Sequence, residues 1–398
     1  MTDYFAPSHR KRLMLKPGKE RVAANRHPWI FAGAIGRESG PDDAAIADLL
    51  DASGTRIASG VYSPHSQIRM RALVFGDVEL TADLVRERIA AAIARRQPLL
   101  GDDTNAVRLI HAEGDELSGL VVDRYNDVVV VEIANRGLEL LAPLIVDALQ
   151  RELAPRLLFF KNDLPARKLE QLTTESRSIG DGESTTEIVE QGLRFRVDPA
   201  EGQKTGFFLD QRENRGLARE VASGKRVLNL FSYSGAFGVY AAAGGAASVE
   251  NVDISDRAVD LARVNHDLND LGANVSFTTA DAFSYVRKLM SERAKFDFVV
   301  CDPPAFAKSR NDVDRAARGY KDINLYAMKL LAPGGLLMTF SCSGHLSLDL
   351  FQKVIFAAAL DTGRRVSFLR RLTAGPDHPI SLYCPEGEYL KGFLLRVD

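Results

Sequence analysis

The second half of the chain alternates between short apolar runs and longer segments with apolar positions every three or four residues. Short runs of this kind predict buried strands, and the longer segments predict amphipathic helices. The predicted strands are Arg226–Leu230, Ser248–Asp253, Val275–Thr279, Phe296–Cys301, Leu336–Ser341 and Arg365–Leu369. The predicted helices are Ala236–Ala243, Asp256–Leu271, Ala282–Ser291, Asp322–Leu331 and Ser347–Leu360. This alternation predicts an α/β domain whose parallel sheet binds a ligand at the carboxyl ends of its strands.

The pattern before position 199 predicts two smaller domains. Strand-like runs at Ala45–Asp51, Arg56–Tyr62 and Gln67–Val74 predict that residues 1–75 form a β-rich domain. The pattern of residues 76–198 predicts an α+β domain. Its predicted helices are Leu84–Ile93 and Leu138–Leu153, and Leu157–Lys161 is a predicted strand. Two hairpins are predicted, one pairing Gly119–Arg124 with Val128–Ala134 and one pairing Thr186–Glu190 with Leu193–Val197. No residue set in 76–198 is typical of catalysis, so we expect this domain to bind or position a substrate. Residues 199–398 form the third predicted domain.

The composition is globular, with 45% hydrophobic and 26% charged residues among 398. No stretch approaches the ~18 apolar residues of a membrane span, and Met1–Arg12 lacks the apolar core of a secretory signal. The three cysteines, Cys301, Cys342 and Cys384, are too irregularly spaced for a disulfide framework or a zinc cluster. We therefore expect a cytoplasmic protein that neither enters a membrane nor holds a metal. The oligomeric state stays open, with a homodimer as one option.

The net charge is only −2, but the N-terminal stretch is locally basic. Before position 38, only Asp3 and Glu20 oppose a series of cationic side chains: Arg10, Lys11, Arg12, Lys16, Lys19, Arg21, Arg26 and Arg37. Such a cluster can bind nucleic-acid phosphates in a salt-dependent manner. The candidate contacts are Arg10, Lys11, Arg12 and Lys16. A solvated basic tail is the alternative.

The first strand of the alternating region leads into Phe231-Ser232-Tyr233-Ser234-Gly235, a loop that suits a nucleotide-type ligand. Gly235 lets the backbone approach the ligand, and the next helix offers unpaired N–H groups. Asp253 ends the second strand, where a carboxylate can accept both ribose hydroxyls. Asp281 and Ala282 follow the third strand, where Asp281 can accept from an adenine amine or cap the next helix. Because two glycines of the dinucleotide fingerprint are missing, S-adenosylmethionine suits these residues better than NAD.

A polar and aromatic segment, Lys204–Arg212, precedes this region. Its adjacent aromatics, Phe207 and Phe208, are placed to close over a cofactor or a substrate, and Gln211 is a candidate cofactor contact. The alternative is a helix N-terminus capped by Asp210, with both phenylalanines buried.

The fourth strand ends in Asp302-Pro303-Pro304-Ala305-Phe306. The two prolines remove N–H donors and stiffen the loop, so Asp302 is held in place beside the cofactor. Its carboxylate can accept from an amine or ring N–H of a planar heterocycle, and Phe306 can stack on the ring. The candidate substrate contacts are Pro303, Pro304, Phe306 and Lys308.

The fifth strand ends in Ser341-Cys342-Ser343. If the fourth and fifth strands are neighbours, ~4.8 Å apart, Asp302 and Cys342 lie at the same rim. A thiolate there can add to carbon 6 of a pyrimidine, which makes carbon 5 nucleophilic enough to accept a methyl group.

An ordinary cysteine is only partly ionised at neutral pH, so a nearby cation should help, with Lys308 and Arg310 as candidates. The alternative for Cys342 is a buried structural cysteine, which is what we expect of Cys301 and Cys384.

Taken together, these motifs resemble the bacterial large-subunit ribosomal RNA cytosine-C5 methyltransferases, the RlmI-like group. The matching segments are Asn229–Gly235, Asp253, Asp281, Asp302–Phe306 and Ser341–Ser343, while His27–Ile35 looks like that family's PUA domain and Lys204–Arg212 like the entrance to its catalytic domain. The resemblance implies a class I (Rossmann-like) methyltransferase domain of seven strands. A PUA-like β-barrel and a small α+β middle domain precede it. It also implies S-adenosylmethionine as cofactor, a 23S rRNA cytosine as substrate and Cys342 as nucleophile.

Some alternatives stay open at this point. Relatives with two cysteines carry the second one inside the Asp-Pro loop, where this chain has Ala305 and Phe306. A second thiol therefore cannot be assigned to the release step. The base that takes the carbon-5 proton stays unassigned, with Asp302 as our candidate. The motifs themselves fit uridine-C5 or guanine-N2 methylation as well. A non-catalytic RNA-binding protein and a dehydrogenase are the alternatives from other classes.

Overall fold

The structure is a computed structural model that describes residues 3–307 and 309–398. It contains two compact units. The first comprises residues up to 186, 197–207 and 377–387, and the second comprises residues 187–196, 208–376 and 388–398.

The first unit begins with a six-stranded sheet whose order is β2-β6-β5-β4-β1-β3. Its elements are β1 (Lys11–Leu15), α1 (Arg21–Ala24), β2 (Trp29–Phe31), β3 (Ile35–Ser39), β4 (Ile46–Leu50), β5 (Arg56–Tyr62) and β6 (Ile68–Phe75). Apolar side chains from most of these strands share one core. The strands at 45–74 were predicted, whereas β1, β2 and β3 were not.

A second sheet in this unit has the order β11-β10-β9-β8-β7. The elements here are α2 (Ala82–Arg96), β7 (Ala106–His111), β8 (Leu120–Tyr125), β9 (Val128–Ile133), α3 (Arg136–Leu140), α4 (Ala142–Leu153), β10 (Leu157–Phe160), α5 (Pro165–Leu169) and β11 (Arg177–Gly180). The hairpin of β8 and β9 is as predicted. The single helix predicted over 138–153 is two helices, because Pro143 has no N–H for an interior helical hydrogen bond and starts α4 instead.

The hairpin of β12 (Thr186–Glu190) and β13 (Leu193–Val197) has the predicted bounds. Its two connecting residues, Gln191 and Gly192, both have positive φ (49° and 79°), as a two-residue hairpin turn requires.

The second unit has a seven-stranded sheet covered by helices. Its elements are α6 (Arg212–Val221), β14 (Arg226–Leu230), α7 (Ala236–Ala243), β15 (Ser248–Asp253), α8 (Asp256–Asp267), β16 (Val275–Thr279), α9 (Ala282–Ser291), β17 (Phe296–Cys301), α10 (Val313–Leu330), β18 (Leu331–Ser341), α11 (Leu348–Thr362), β19 (Val366–Leu372) and β20 (Lys391–Val397). The order is β16-β15-β14-β17-β18-β20-β19, and β20 is antiparallel to both of its neighbours.

The register of this sheet aligns the carboxyl ends of its central strands. Leu230 of β14 pairs with Val252 of β15 and with Cys301 of β17, and Cys301 pairs with Thr339 of β18. The loops that follow β14, β15, β17 and β18 therefore leave the sheet at one rim, as expected for an open α/β sheet. No helix among the described residues is long and apolar enough to cross a membrane.

Candidate active site

The loop after β14 has an unusual backbone. Phe231, Tyr233 and Gly235 all have positive φ, at 59°, 44° and 70°. Non-glycine residues in this region are uncommon and cluster at functional sites. The loop is held by two backbone hydrogen bonds, from Ser232 N–H to the Val252 carbonyl and from Gly235 N–H to the Ser232 carbonyl.

Gly235 is required where it stands. A Cβ at this position would lie 2.6 Å from the Cβ of Ala262 in α8, so no other residue fits without displacing that helix. Gly235 is also the N-cap of α7 and brings the positive end of that helix to the rim of the sheet.

Asp253 and Asp281 lie where they were predicted, at the ends of β15 and β16. The Asp253 carboxylate is half-buried and accepts from Tyr233 N–H (2.8 Å) and from Ser255 N–H (3.0 Å). Each of its oxygens keeps a second lone pair with which to accept a ligand hydroxyl. Asp281 is the N-cap of α9 and accepts from Ser284 N–H at 2.9 Å, and Ala282 behind it is buried. The helix-cap alternative for Asp281 is thus what the structure shows.

The residues around this loop fit S-adenosylmethionine. The Ser232 hydroxyl oxygen is buried and has no hydrogen-bond partner among the described residues. A buried polar atom without a partner is expensive unless a ligand or water completes it. Such a hydroxyl beside the Asp253 carboxylate and the N-terminus of α7 suits a polar, adenosine-containing molecule.

Gln211 contacts Asp302. Its amide N–H donates to Asp302 Oδ2 at 2.9 Å, while its own carbonyl accepts from Asn214 Nδ2 at 2.6 Å. Asn214 also donates to the Thr373 carbonyl. This chain of hydrogen bonds orients the Asp302 carboxylate. Gln211 was predicted as a cofactor contact, and this orienting role was not predicted.

Phe207 and Phe208 differ in burial. Phe207 is buried, whereas Phe208 is half-buried and packs edge-on against Tyr233 at 5.3 Å between ring centroids. Asp210 is buried and accepts from the Tyr389 hydroxyl at 2.6 Å. Phe208 therefore supports the Phe231–Gly235 loop.

The Asp-Pro-Pro loop follows β17. Asp302 is half-buried, Pro303 is buried and Pro304 is exposed. Phe306 was expected to stack on a substrate ring, but its half-buried ring packs on Tyr320 (4.6 Å between centroids) and on Phe283 (5.9 Å).

This packing makes Phe306 part of the aromatic support of the loop. Lys308, the other predicted substrate contact here, lies outside the described residues. Arg310 is exposed in a single 3₁₀ turn.

The three cysteines have different surroundings. Cys301 is fully buried, and burial and the nearby Asp302 carboxylate raise the pKa of its thiol far above the ordinary value. Cys384 is also buried, and burial together with Glu113 and Glu386 raises the pKa of its thiol to about 12. Cys342 is only half-buried, and its thiol lies 3.8 Å from the Pro303 carbonyl oxygen. The rim of the sheet thus brings Cys342 and the Asp302 loop together, as predicted.

Cys384 lies near His27 and Glu386, a residue set that could be mistaken for a metal centre. Trp29 N–H donates to His27 Nδ1 (3.1 Å), so the imidazole proton is on Nε2, 3.2 Å from Glu386 Oε2. Because a metal ion would need that nitrogen without its proton, the arrangement fits a hydrogen bond better than a ligand set.

Two residues near Cys342, Tyr320 and Lys391, were not found from the sequence, and both contact Ser343. The Ser343 hydroxyl accepts from Ala307 N–H (3.2 Å) and shares a hydrogen bond with the Tyr320 hydroxyl (3.0 Å). The Ser343 carbonyl accepts from Lys391 Nζ (3.0 Å). Lys391 begins β20, and the sequence signal that was overlooked is a single lysine at the start of the apolar run Phe393-Leu394-Leu395.

The predicted N-terminal contacts need a correction. Arg10 is only 4% exposed, and its guanidinium donates to the Phe5 and Leu80 carbonyls and forms ion pairs with Asp48 and Glu79. Lys11 is also buried and pairs with Asp42 at 2.6 Å.

These two cations are therefore structural, because their charges are already used inside the first unit. Arg12 and Lys16 are exposed, and Lys16 Nζ donates to the Gly33 carbonyl.

Comparisons with known proteins identify the family of the chain. Residues 165–386 match the family model of S-adenosylmethionine-dependent methyltransferases, and residues 13–75 match that of PUA-like domains. The chain is 43% identical over 393 residues to "Ribosomal RNA large subunit methyltransferase I" of Shewanella denitrificans, covering 97% of this chain and 99% of the relative. The protein of the same name from Tolumonas auensis is 41% identical over 390 residues, covering 96% and 98%.

The fold also matches solved structures. A structure of a methyltransferase complexed with SAH is similar with a TM-score of 0.85 and 23% identity, covering 97% of this chain and all of that one. A SAM-dependent methyltransferase from Streptococcus mutans matches with a TM-score of 0.83 over the same shares. These likenesses confirm the Rossmann-like fold. By its sequence relatives, the chain belongs to the ribosomal RNA large subunit methyltransferase I family and is an S-adenosylmethionine-dependent methyltransferase with a PUA-like domain.

Proposed function

We propose that this enzyme methylates carbon 5 of a cytosine in 23S rRNA through a covalent adduct with Cys342. The observation that carries the proposal is the half-buried thiol of Cys342, which lies against the loop of Asp302 at the rim of the sheet. An enzyme that methylates an exocyclic amine needs no such sulfur, whereas an unactivated pyrimidine carbon 5 needs a nucleophile at carbon 6.

The chain's own residues account for most of the reaction. The cofactor, held by the Phe231–Gly235 loop, Asp253 and the N-terminus of α7, supplies an electrophilic methyl group. The Cys342 thiolate forms a bond to carbon 6, and the electron pair of the 5,6 double bond moves onto carbon 5, which takes the methyl group. A base then removes the proton from carbon 5, the double bond forms again, and the carbon–sulfur bond breaks to return the thiolate.

Asp302 has the right position for the polar edge of the base. Its carboxylate is fixed by Gln211 through one oxygen, and it follows the strand next to that of Cys342. An ionised carboxylate accepts hydrogen bonds from an amine or a protonated ring nitrogen. We assign this recognition to Asp302 and keep it as the candidate base for the carbon-5 proton.

The RNA contacts belong to other parts of the chain. We infer that the PUA-like domain within residues 1–75 binds RNA, with the exposed Arg12 and Lys16 near phosphates, and that residues 76–198 position the RNA. Because bacterial ribosomal RNA is in the cytoplasm, we propose that the enzyme acts there. Whether it acts as a homodimer is measurable by light scattering of the full chain.

Nucleoside mass spectrometry of 23S rRNA tests the reaction. We expect one 5-methylcytidine to be absent in a strain without the gene, and to return with a plasmid copy of the wild type but not of Cys342→Ala. Cys384→Ala, which removes a buried thiol, is the matched control and should restore the modification.

Other outcomes would contradict the proposal in distinct ways. Loss of 5-methyluridine or N2-methylguanosine instead would change the substrate base. Full modification with Cys342→Ala would exclude the covalent route, and an unchanged nucleoside profile would favour a non-catalytic RNA-binding protein.

A further inference from the structure

Lys391 is a buried lysine next to the nucleophile. It is 3% exposed, and it pairs with Ser341 in the antiparallel register of β18 and β20. Its ammonium donates to the carbonyl of Ser343, the residue that follows Cys342. Lys391 therefore contacts the short loop that presents the sulfur.

No carboxylate that the structure describes forms an ion pair with this lysine, although Glu388 is close enough to raise its pKa. Among the described residues, the only hydrogen bond of Nζ is the one to the Ser343 carbonyl, and no ion pair involves Lys391. A buried ammonium is costly unless an anion accompanies it. The dipole of one carbonyl offsets only part of that cost. A nearby anion that forms when a thiol loses its proton would offset more of it.

We propose that the Lys391 ammonium is the counter-ion of the Cys342 thiolate and that it fixes the Cys342 loop through the Ser343 carbonyl. The inference rests on the proposed function, because it assigns the source of the thiolate. It makes Lys391 a positioning residue, since it acts on the substrate only through the sulfur.

The electrostatics of the pair agree with this role. Burial lowers the pKa of Lys391, while the Cys342 thiolate and Glu388 raise it. Coulomb interactions are reciprocal. The Lys391 ammonium therefore stabilises the ionised form of Cys342 as much as the thiolate stabilises the ammonium.

Other groups face the sulfur from the neighbouring elements. Tyr320 on α10 stays a neutral phenol, because burial raises its pKa. The Asp302 carboxylate follows β17 and opposes a thiolate, as does the exposed Glu388 before β20. His345 is exposed in the same loop as Cys342. Lys391 is the buried cation in this set.

The pH dependence of Cys342 alkylation tests the proposal. The rate of iodoacetamide reaction at Cys342 is followed from pH 5 to 10 in the full chain, by mass spectrometry of the peptide that contains it. We expect a midpoint below the ~8.5 of an ordinary cysteine in the wild type. In Lys391→Met the midpoint should rise by about 1–3 pH units, the range for loss of an adjacent opposite charge.

Lys161→Met is the matched control. Lys161 is also 3% exposed, and its Nζ donates to the carbonyls of Pro199 and Gly202, but it also pairs with Asp163 at 3.6 Å and belongs to the other unit. Its replacement should leave the Cys342 midpoint unchanged. Lys391→Arg, which keeps the charge, should hold the midpoint below that of Lys391→Met.

Two results would overturn the inference. One is a wild-type midpoint at or above ~8.5, which decides the question even if Lys391→Met does not fold. The other is an unchanged midpoint in a Lys391→Met protein that still binds S-adenosylmethionine. Either result leaves the proposed function standing if Cys342→Ala is inactive, whereas an active Cys342→Ala overturns the proposed function whatever the midpoint is.

Discussion

At the scale of the residue, surroundings separate the three thiols of this chain. Cys301 and Cys384 are buried with raised pKa values, so they are poor nucleophiles at neutral pH. Cys342 is half-buried beside a lysine that forms no ion pair with a carboxylate among the described residues. The position of Cys342 at a strand end was visible in the sequence. The lysine was not, because it comes 49 residues later and approaches through an antiparallel strand.

Asp253 provides a test of the cofactor site. We expect Asp253→Ala to weaken S-adenosylmethionine binding by tenfold or more, because the variant loses a hydroxyl acceptor and the bond that orders Tyr233 N–H. Isothermal titration calorimetry measures the change. Asp256→Ala, which removes an exposed carboxylate three residues later, is the control and should bind normally. Equal affinities of the two variants would remove Asp253 from the site.

Glu132 on β9 makes stability depend on pH. Burial, with Asp123 and Asp163 nearby, raises its pKa from 4.5 to about 7. The folded protein then holds a proton that the unfolded chain releases, so this contribution is present below pH 4.5 and is lost as the pH rises through about 7.

We therefore expect Glu132→Gln to resemble the wild type near pH 4.5 and to be more stable at pH 8, by roughly 1–3 kcal/mol. Urea unfolding of both proteins at the two pH values measures this. A variant that is less stable than the wild type at pH 8 would contradict the assignment.

At the scale of the element, the catalytic unit was the most predictable part of the chain. The predicted bounds of β14, β15, β16 and β17 agree with the structure, because each is a short run with apolar or β-branched residues that a loop and a helix follow. Helix α8 ends at Asp267, four residues earlier than predicted, and the backbone reaches a positive φ three residues later, at Asp270. Helix α10 begins at Val313, nine residues earlier than predicted.

The missing elements have physical reasons. β20 was overlooked since an antiparallel strand inserted between β18 and β19 leaves no mark on the alternating pattern. The same limit explains Arg10, whose partners Asp48 and Glu79 are 38 and 69 positions away. Local sequence shows that a residue is charged, but only the fold shows whether that charge is already paired.

The hairpin of β12 and β13 is attached by a buried ion pair. Glu190 accepts two hydrogen bonds of 2.8 Å from the Arg215 guanidinium on α6 and one from the Tyr240 hydroxyl. Glu190 also lies 3.4 Å from the Nε of the buried Arg212, so removing Arg215 leaves this carboxylate only partly paired, and we expect Arg215→Ala to cost about 3 kcal/mol of unfolding free energy. The exposed Arg219 of the same helix provides the control, Arg219→Ala, which should cost little. Equal costs in urea unfolding would contradict this role.

At the scale of the whole molecule, a net charge of −2 means that RNA binding depends on local cations rather than on overall attraction. With Arg10 and Lys11 internal, Arg12 and Lys16 remain as the predicted phosphate contacts.

The double variant Arg12→Ala/Lys16→Ala should therefore bind RNA more weakly and flatten the plot of log affinity against log salt by about 1.5, as expected for two lost contacts. Fluorescence anisotropy over a salt series measures the slope. Lys353→Ala is the control, since Lys353 is exposed and already paired with Asp349. An unchanged slope in the double variant would refute the assignment.

The covalent adduct is the most direct measure of the central claim. An rRNA fragment in which cytidine is replaced by 5-fluorocytidine has no carbon-5 proton to lose after methyl transfer, so the final elimination cannot occur. Wild-type enzyme with S-adenosylmethionine should form a complex that survives denaturing electrophoresis, with the RNA attached to the peptide that contains Cys342, and Cys342→Ala should form none. Absence of the complex in a wild-type enzyme that methylates the unmodified fragment, or attachment at another residue, would contradict the account.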